Sequence, residues 1–267
     1  MRTWDCHCHA RGDETGEQVL RWMDEAGVDR VNLFGRYPGR DRADLRASIE
    51  HIASVQATDP DRIFGLVWAD PRTTGVCEEL EYAIADRGLR GLKMIPDHWS
   101  PCDEAIYPVY ETMQRLGRPI QFHSGIVYGF ADSSRFCRPV LYEALVHFPK
   151  LRFSLAHISW PWVDECIAVF GRFRAAAGYD ASRSQMWVDT CRGTPDAWRE
   201  EALRKAVPFC GADRLMFGVD GHPDTLPQTA PVHRSKDQAI LRDVMGLTEA
   251  QIEAFFWGAC ASFHSIL

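Results

Sequence analysis

The sequence predicts an α/β fold, a (β/α)8 TIM barrel built as one domain over residues 1–267, with its functional site at the C-terminal rim of the strands. Three observations carry this expectation. Eight short apolar, β-prone runs recur along the chain, and successive runs end 25 to 34 residues apart, the interval that one strand, one helix and two loops occupy. Segments between the runs carry apolar stripes of helical period. The runs themselves are too apolar to be half-exposed, as befits parallel strands covered by helices. An open doubly wound sheet is the alternative, and no G-x-G-x-x-G turn follows the first run to support it.

Taken in order, TWDCHCH ends at His9 and RVNLF at Phe34. A helical stripe of Leu45, Ile49, Ile52 and Ala53 leads to IFGLVW, ending at Trp68. Val76, Leu80, Ala83 and Ile84 repeat the stripe before GLKMI, which ends at Ile95. Ile106, Val109, Tyr110 and Met113 do so before PIQFH, ending at His123. FSLAH then ends at His157, MWVD at Asp189 and LMFGVD at Asp220. The stretch from Gly221 to Lys236, with its prolines, reads as the least structured part and as a cover for one mouth of the barrel. The ending LTEAQIEAFFWGACASFHSIL reads as terminal helices packed on the outside. Proline and glycine mark short connections, and no domain boundary is evident.

Composition narrows the function. With 46% apolar residues the chain can bury a sizeable core. A net charge of −7 offers no basic face for nucleic acid. No apolar run is long enough to span a membrane, and the N-terminus lacks signal-peptide features. Nine cysteines, an odd number without a repeating framework, are expected to be reduced thiols in a cytoplasmic protein.

The opening run places Cys6, His7, Cys8 and His9 in succession, superficially a metal knuckle. In a strand, alternate side chains point to opposite faces, so four consecutive residues cannot hold one ion. His7 and His9 are expected to face the barrel interior, with Asp5 deeper on the same face. Cys6 and Cys8 are expected to pack under the helices as small hydrophobes. His123, His157 and Asp220 end other strands, and in a closed parallel barrel all C-terminal tips meet at one rim. Imidazole and carboxylate groups converging there suit Zn²⁺, and also Mn²⁺, Fe²⁺ or Co²⁺. Singly, each has an ordinary reading: a hydrogen-bonded histidine, or an Asp that caps the next helix.

With DCHCH, RGLKMIPD, IQFHSG, SLAHISW and DRLMFGVDGHP following one another over nearly the whole chain, the sequence resembles the amidohydrolase superfamily, specifically its amidohydrolase-related branch of barrel metal-dependent hydrolases. That branch includes lactonases and enzymes like aminocarboxymuconate-semialdehyde decarboxylase. WGACASFH stands where the family often has a G-N-A segment, without the Asn. The resemblance implies that His7, His9, His123 and Asp220 ligate a divalent metal, and that His157 stands nearby to move protons or polarise a carbonyl. Asp220 is then also a proton acceptor. Lys93 is near the place where some members carry a carbamylated lysine bridging two metals, but an unmodified lysine that neutralises a substrate carboxylate is preferred. Arg36 and Arg192, together with His98 and Trp99, follow other strands and are candidates for the substrate pocket. Tyr128, Trp160 and Trp162 are candidates for an aromatic wall.

The function expected is a metal-dependent hydrolase that uses metal-activated water on a lactone, amide or related bond of a small carboxylated molecule. Non-oxidative decarboxylation and metal-free lactone hydrolysis are the alternatives within the same branch. A binding protein without chemistry is a third reading, opposed by the full set of ligand-type residues. The expected partner is the small-molecule substrate, with neither nucleic acid nor membrane, and a homo-oligomer is compatible with the sequence.

Overall fold

The computed structural model describes residues 1–265. Strands β1 (Trp4–His9), β2 (Arg30–Phe34), β3 (Ile63–Trp68), β4 (Gly91–Met94), β5 (Ile120–Phe122), β6 (Phe153–Leu155), β7 (Met186–Asp189) and β8 (Leu215–Met216) form one sheet in sequence order. Every ladder is parallel. The sheet closes through the backbone beyond β8. Cys6 N–H donates to Phe217 O at 2.9 Å, Asp220 N–H to His7 O at 3.0 Å and His9 N–H to Gly221 O at 2.8 Å. Gly218 lies on this seam, where a Cβ would come within 3.0 Å of Cys6 Sγ and Cys191 Cβ.

Helices α1 (Gly16–Ala26), α2 (Arg42–Thr58), α3 (Val76–Glu81), α4 (Tyr107–Arg115), α5 (Val163–Ala176), α6 (Asp196–Cys210) and α7 (Leu226–Ala239) cover the barrel. A 3₁₀ helix, Pro139–His147, replaces an α-helix between β5 and β6. The expected stripes bury as read: Leu45, Ile49, Ile52 and Ala53 on α2, and Val109, Tyr110 and Met113 on α4. Two core layers result. Val31, Leu33, Leu92, Ile120 and Phe122 pack outward with the helices, while Trp4, Phe34, Phe64, Leu66, Trp187 and Met216 fill the inside. Among the described residues no helix is long and apolar enough to cross a membrane, and all nine cysteines are free thiols.

Three expectations are corrected. The first concerns β1, whose pairing with β2 shifts between Asp5 and Cys8: Asp5 pairs with Val31, but Cys8 with Leu33. This β-bulge inserts one extra residue and changes the parity of the strand. His7 and His9 face inward and Cys8 packs in the outer layer, as expected, but Cys6 joins Trp4 in the inner layer. Asp5 leaves the inner face and accepts the N–H groups of His7 and Val219 at 2.9 and 3.1 Å, tying the bulge to β8's end.

The second concerns residues 221–236, which are ordered as a 3₁₀ turn, Pro223–Thr225, running into α7. Pro227 falls in the first turn, where its missing N–H costs nothing. Tertiary bonds hold the rest: Arg199 pairs with Asp237 at 2.5 Å, and Arg234 donates to Gly27 O at 2.7 Å. The third concerns the C-terminal segment. Helices α8 (Glu249–Glu253) and α9 (Ala259–Phe263) close the N-terminal end of the barrel, where Cys260 and Phe263 pack into the inner layer and His264 against Trp4 and Phe64.

Candidate active site

The C-terminal ends of the strands surround a cavity of about 370 Å³ whose lining includes His7, His9, Lys93, His123, His157 and Asp220. At its floor, His7 Nε2 and His9 Nε2 stand 3.1 Å apart. Asp220 Oδ1 lies 3.3 Å from His7 Nε2 and 3.6 Å from His9 Nε2. The bulge delivers both rings to this point, and the seam beyond β8 delivers the carboxylate from a residue at φ 55°. Burial would raise Asp220, but His7, His157, His9 and Lys93 around it hold its carboxyl well below the usual range.

Asp189, at the end of β7, holds His7 in place. His7 Nδ1–H donates to Asp189 Oδ2 at 2.5 Å, so the lone pair of His7 Nε2 is directed into the cavity. Gln121 Nε2 donates to the same oxygen at 2.8 Å, and Cys191 N–H to Asp189 Oδ1 at 2.8 Å. The burial that would raise Asp189 is overcome by His7, His157 and Cys191, and its carboxyl is held down. Below it a polar column descends through the barrel. Asn32 Nδ2 donates to Gln121 Oε1 at 3.4 Å, while Trp4 Nε1 and His264 Nε2 donate to Asn32 Oδ1, each at 3.0 Å.

On the other wall His123 and His157 form a pair. Ile126 O can only accept, so His123 Nε2 donates to it at 3.2 Å and His123 Nδ1 accepts from His157 Nε2–H at 3.1 Å. His157 Nδ1 therefore presents its lone pair, 3.0 Å from Cys191 Sγ and 3.9 Å from Asp220 Oδ2. Burial, opposed by Asp220 and assisted by His7, pushes the His157 pKa down to about 4, and the ring is neutral near pH 7. In this arrangement both nitrogens of His123 are engaged, and it stands beside His157 rather than with His7, His9 and Asp220.

Lys93 projects from β4 fully buried, with Nζ 3.3 Å from His7 Nε2 and 4.7 Å above the Phe34 ring. Burial lowers its pKa against the pull of Asp189 and Asp220. Arg36 lines the cavity, as do Tyr37, Trp68, Tyr128 and Phe130. Arg192 does not: it is exposed, and its charge acts on His233 and Asp196 instead. Gly193 takes that part of the wall, where a Cβ would come within 2.3 Å of the His157 ring. Trp160 and Trp162 line a separate surface groove with Trp198; His98 is exposed beside Asp97, and Trp99 is buried. Sequence reasoning missed Asp189, Cys191 and Gln121. The ending MWVD carried the same signal as LMFGVD, a strand terminated by an acid.

The triangle of His7 Nε2, His9 Nε2 and Asp220 Oδ1 fits a divalent ion. Donors about 2.0–2.2 Å from a tetrahedral ion lie roughly 3.3 Å from each other, the size of this triangle. A second grouping, His7, His157, Cys191 and Asp220, offers one donor atom each within 4.8 Å. It shares His7 and Asp220 with the first, and without an ion burial raises the Cys191 thiol above its ordinary range.

Among curated proteins the chain is similar to dihydroorotases. It is 30% identical over 135 residues to that of Serratia proteamaculans, covering 45% of this chain and 38% of that protein. It is 28% identical over 251 residues to that of Yersinia pestis, covering 82% of this chain and 69% of that protein. Solved structures share the barrel. A 5-carboxyvanillate decarboxylase from Novosphingobium aromaticivorans with bound manganese matches at TM-score 0.72 and 14% identity, covering 99% of this chain and 97% of that one. A probable 2-pyrone-4,6-dicarboxylic acid hydrolase from Acinetobacter baumannii matches at TM-score 0.67 and 12% identity, covering 99% and 100%. The amidohydrolase family model matches residues 4–261, almost the full barrel with every strand that feeds the cavity, and the chain belongs to the amidohydrolase family.

Proposed function

We propose that this chain is a metal-dependent hydrolase that opens a lactone, amide or related bond of a small carboxylated molecule. The observation that carries this reading is the triangle of His7 Nε2, His9 Nε2 and Asp220 Oδ1, with edges of 3.1, 3.3 and 3.6 Å, at the floor of a cavity that also contains a buried lysine. These three residues would hold the ion, and His123 is proposed as their fourth donor. When bound, a divalent ion polarises a carbonyl and lowers the pKa of water toward about 7; zinc suits the donor set best, with manganese, iron and cobalt as alternatives.

The protein's own groups do the rest. Asp189 keeps the proton of His7 on Nδ1 and thereby keeps Nε2 free to bind. His157, neutral, accepts a proton at Nδ1, which lies 3.9 Å from Asp220 Oδ2. Asp220 Oδ2, on the same side, shares that proton traffic. Lys93, unmodified, attracts a substrate carboxylate, and Arg36 contributes positive charge nearer the mouth. Trp68 and Tyr37, with ring centroids 5.1 Å apart, give the substrate a flat apolar wall and exclude water.

The test is a screen of lactones, cyclic amides and aromatic carboxylates with the metal-loaded protein in ¹⁸O-labelled water. The hydrolase reading expects label in the carboxylic acid product. Release of CO₂ without label transfers the chain to the decarboxylases, and turnover that survives complete metal removal identifies a metal-free lactonase.

A further inference from the structure

The opposite end of the barrel has a feature that the hydrolase reading does not use. Arg30 begins β2, and Arg90, Arg118 and Arg152 immediately precede or lead into β4, β5 and β6. The ladder pairs Leu92 with Ile120 and Ile120 with Phe153, so Arg90 and Arg118 stand level on neighbouring strands and Arg152 lies within one residue of them. Arg30 and Arg90 both lie over the Phe64 ring, at 5.6 and 5.3 Å, and Phe64 packs against His264 at 5.1 Å. All four arginines are half-buried residues.

Four cations stand at one mouth of a chain of net charge −7, and among the described residues no carboxylate forms an ion pair with any of them. Glu253 pairs with Arg2, Asp24 with Arg62, and Asp29 accepts the N–H of Thr3 at 2.7 Å. Arg152 donates to Gly117 O at 2.7 Å and Arg90 to Pro60 O at 3.4 Å, while Arg30 lies over the Trp4 and Trp257 rings at 5.0 and 4.7 Å. Among the described residues, buried Arg90 Nε has no hydrogen-bond partner. Burial and the neighbouring arginine lower the pKa of both Arg118 and Arg152, with no acid acting against the shift in either case. Like charges this close are retained at a cost in stability unless an anion is bound between them.

We infer that the N-terminal mouth of the barrel is a binding site for a small, multiply charged oxyanion, held by Arg30, Arg90, Arg118 and Arg152. Guanidinium forks match the oxygen pairs of phosphates and carboxylates alike, so a phosphate ester and a polycarboxylate are the two sources of this chemistry. The site is at the far end of the barrel from His7 and His9, and it rests on observations independent of the proposed hydrolase activity.

Calorimetric titration of the full-length protein with inorganic pyrophosphate and, separately, citrate tests this inference. Binding to at least one is expected, weakened roughly tenfold or more by Arg118→Gln or Arg90→Gln, the loss of one charge-assisted contact, and the tighter probe tells which source the ring prefers. Both probes also chelate metals, so His9→Ala is titrated in parallel: binding there is expected to be unchanged. Arg118→Gln without ligand is expected to melt at the wild-type temperature or higher, because it relieves repulsion. No binding to the wild type, binding lost in His9→Ala but kept in both arginine variants, or a lower melting temperature for unliganded Arg118→Gln would each overturn the inference.

Discussion

His157 and Asp220 have backbone φ values of 63° and 55°, in the left-handed region that a non-glycine residue adopts at a cost of about 1 kcal/mol or more. Both side chains point into one cavity, and the surroundings over-determine each conformation. Thr194 Oγ1 donates to His157 O at 2.7 Å, and Gly193 leaves room for the ring. In the proposed function His157 stands outside the triangle of metal donors and moves protons. His157→Asn is therefore expected to keep its metal and fold while losing roughly 10²- to 10⁴-fold in kcat, the usual worth of general acid–base assistance. Loss of metal from that variant, measured by elemental analysis, would make His157 a ligand instead. Asp189 works at one remove, through His7. Asp189→Asn is expected to leave the cavity intact but weaken metal affinity about 10- to 100-fold, in keeping with other carboxylate–histidine–metal arrangements. Competition with a chelator of known affinity reads this directly, and unchanged affinity would show that the 2.5 Å contact does not control His7.

At the scale of elements, α7 shows what periodicity alone conceals. Leu226, Ala230, His233 and Asp237 form its buried face at a perfect helical spacing, but half of that stripe is polar and Pro231 sits inside the helix, so nothing apolar announces it. Tertiary contacts override local propensity here. The buried pair of Arg199 and Asp237 anchors α6 to α7, with Arg199 also donating to Thr190 O at 2.6 Å beside the catalytic wall. Removing one partner of such a pair leaves the other charge buried, a penalty of about 3–5 kcal/mol. Asp237→Asn is expected to lower Tm by roughly 6–20 °C, and a drop of only a degree or two in a thermal melt would show that the guanidinium finds water or another acceptor. The bulge in β1 was equally silent in the sequence. Strict alternation accounts for His7 and His9 but fails at Asp5 and Cys6, because a bulge adds a residue without changing the residue types.

For the molecule as a whole, the eight-strand closure and its rim were legible because eight apolar runs recur at nearly even spacing and five of them end on a histidine or an aspartate, from His9 to Asp220. The pairing of His123 with His157, the support of His7 by Asp189 and the distance of Arg192 from the cavity were not legible, since each depends on side-chain direction in loops after the strands. The lower end of the barrel gives a prediction about global stability. His264 is buried there, its pKa pushed down to about 3 by burial and the nearby arginines. Below its ordinary value of about 6.5 the unfolded chain binds a proton that the folded chain refuses. Stability therefore falls with pH between these values, by up to about 1.4 kcal/mol per unit from this group. His264→Phe is expected to show a shallower acid slope in denaturant-unfolding free energy, whereas parallel slopes would show that His264 takes up its proton in the fold.

The account depends most on the claim that His7, His9 and Asp220 gather one divalent ion. Elemental analysis of purified wild type, His9→Ala and Cys8→Ala measures this with no substrate in hand. One equivalent of metal per chain in the wild type and in Cys8→Ala, lost in His9→Ala, is the result expected. A full equivalent retained by His9→Ala, or two equivalents in the wild type with a carbamate on Lys93, would contradict it.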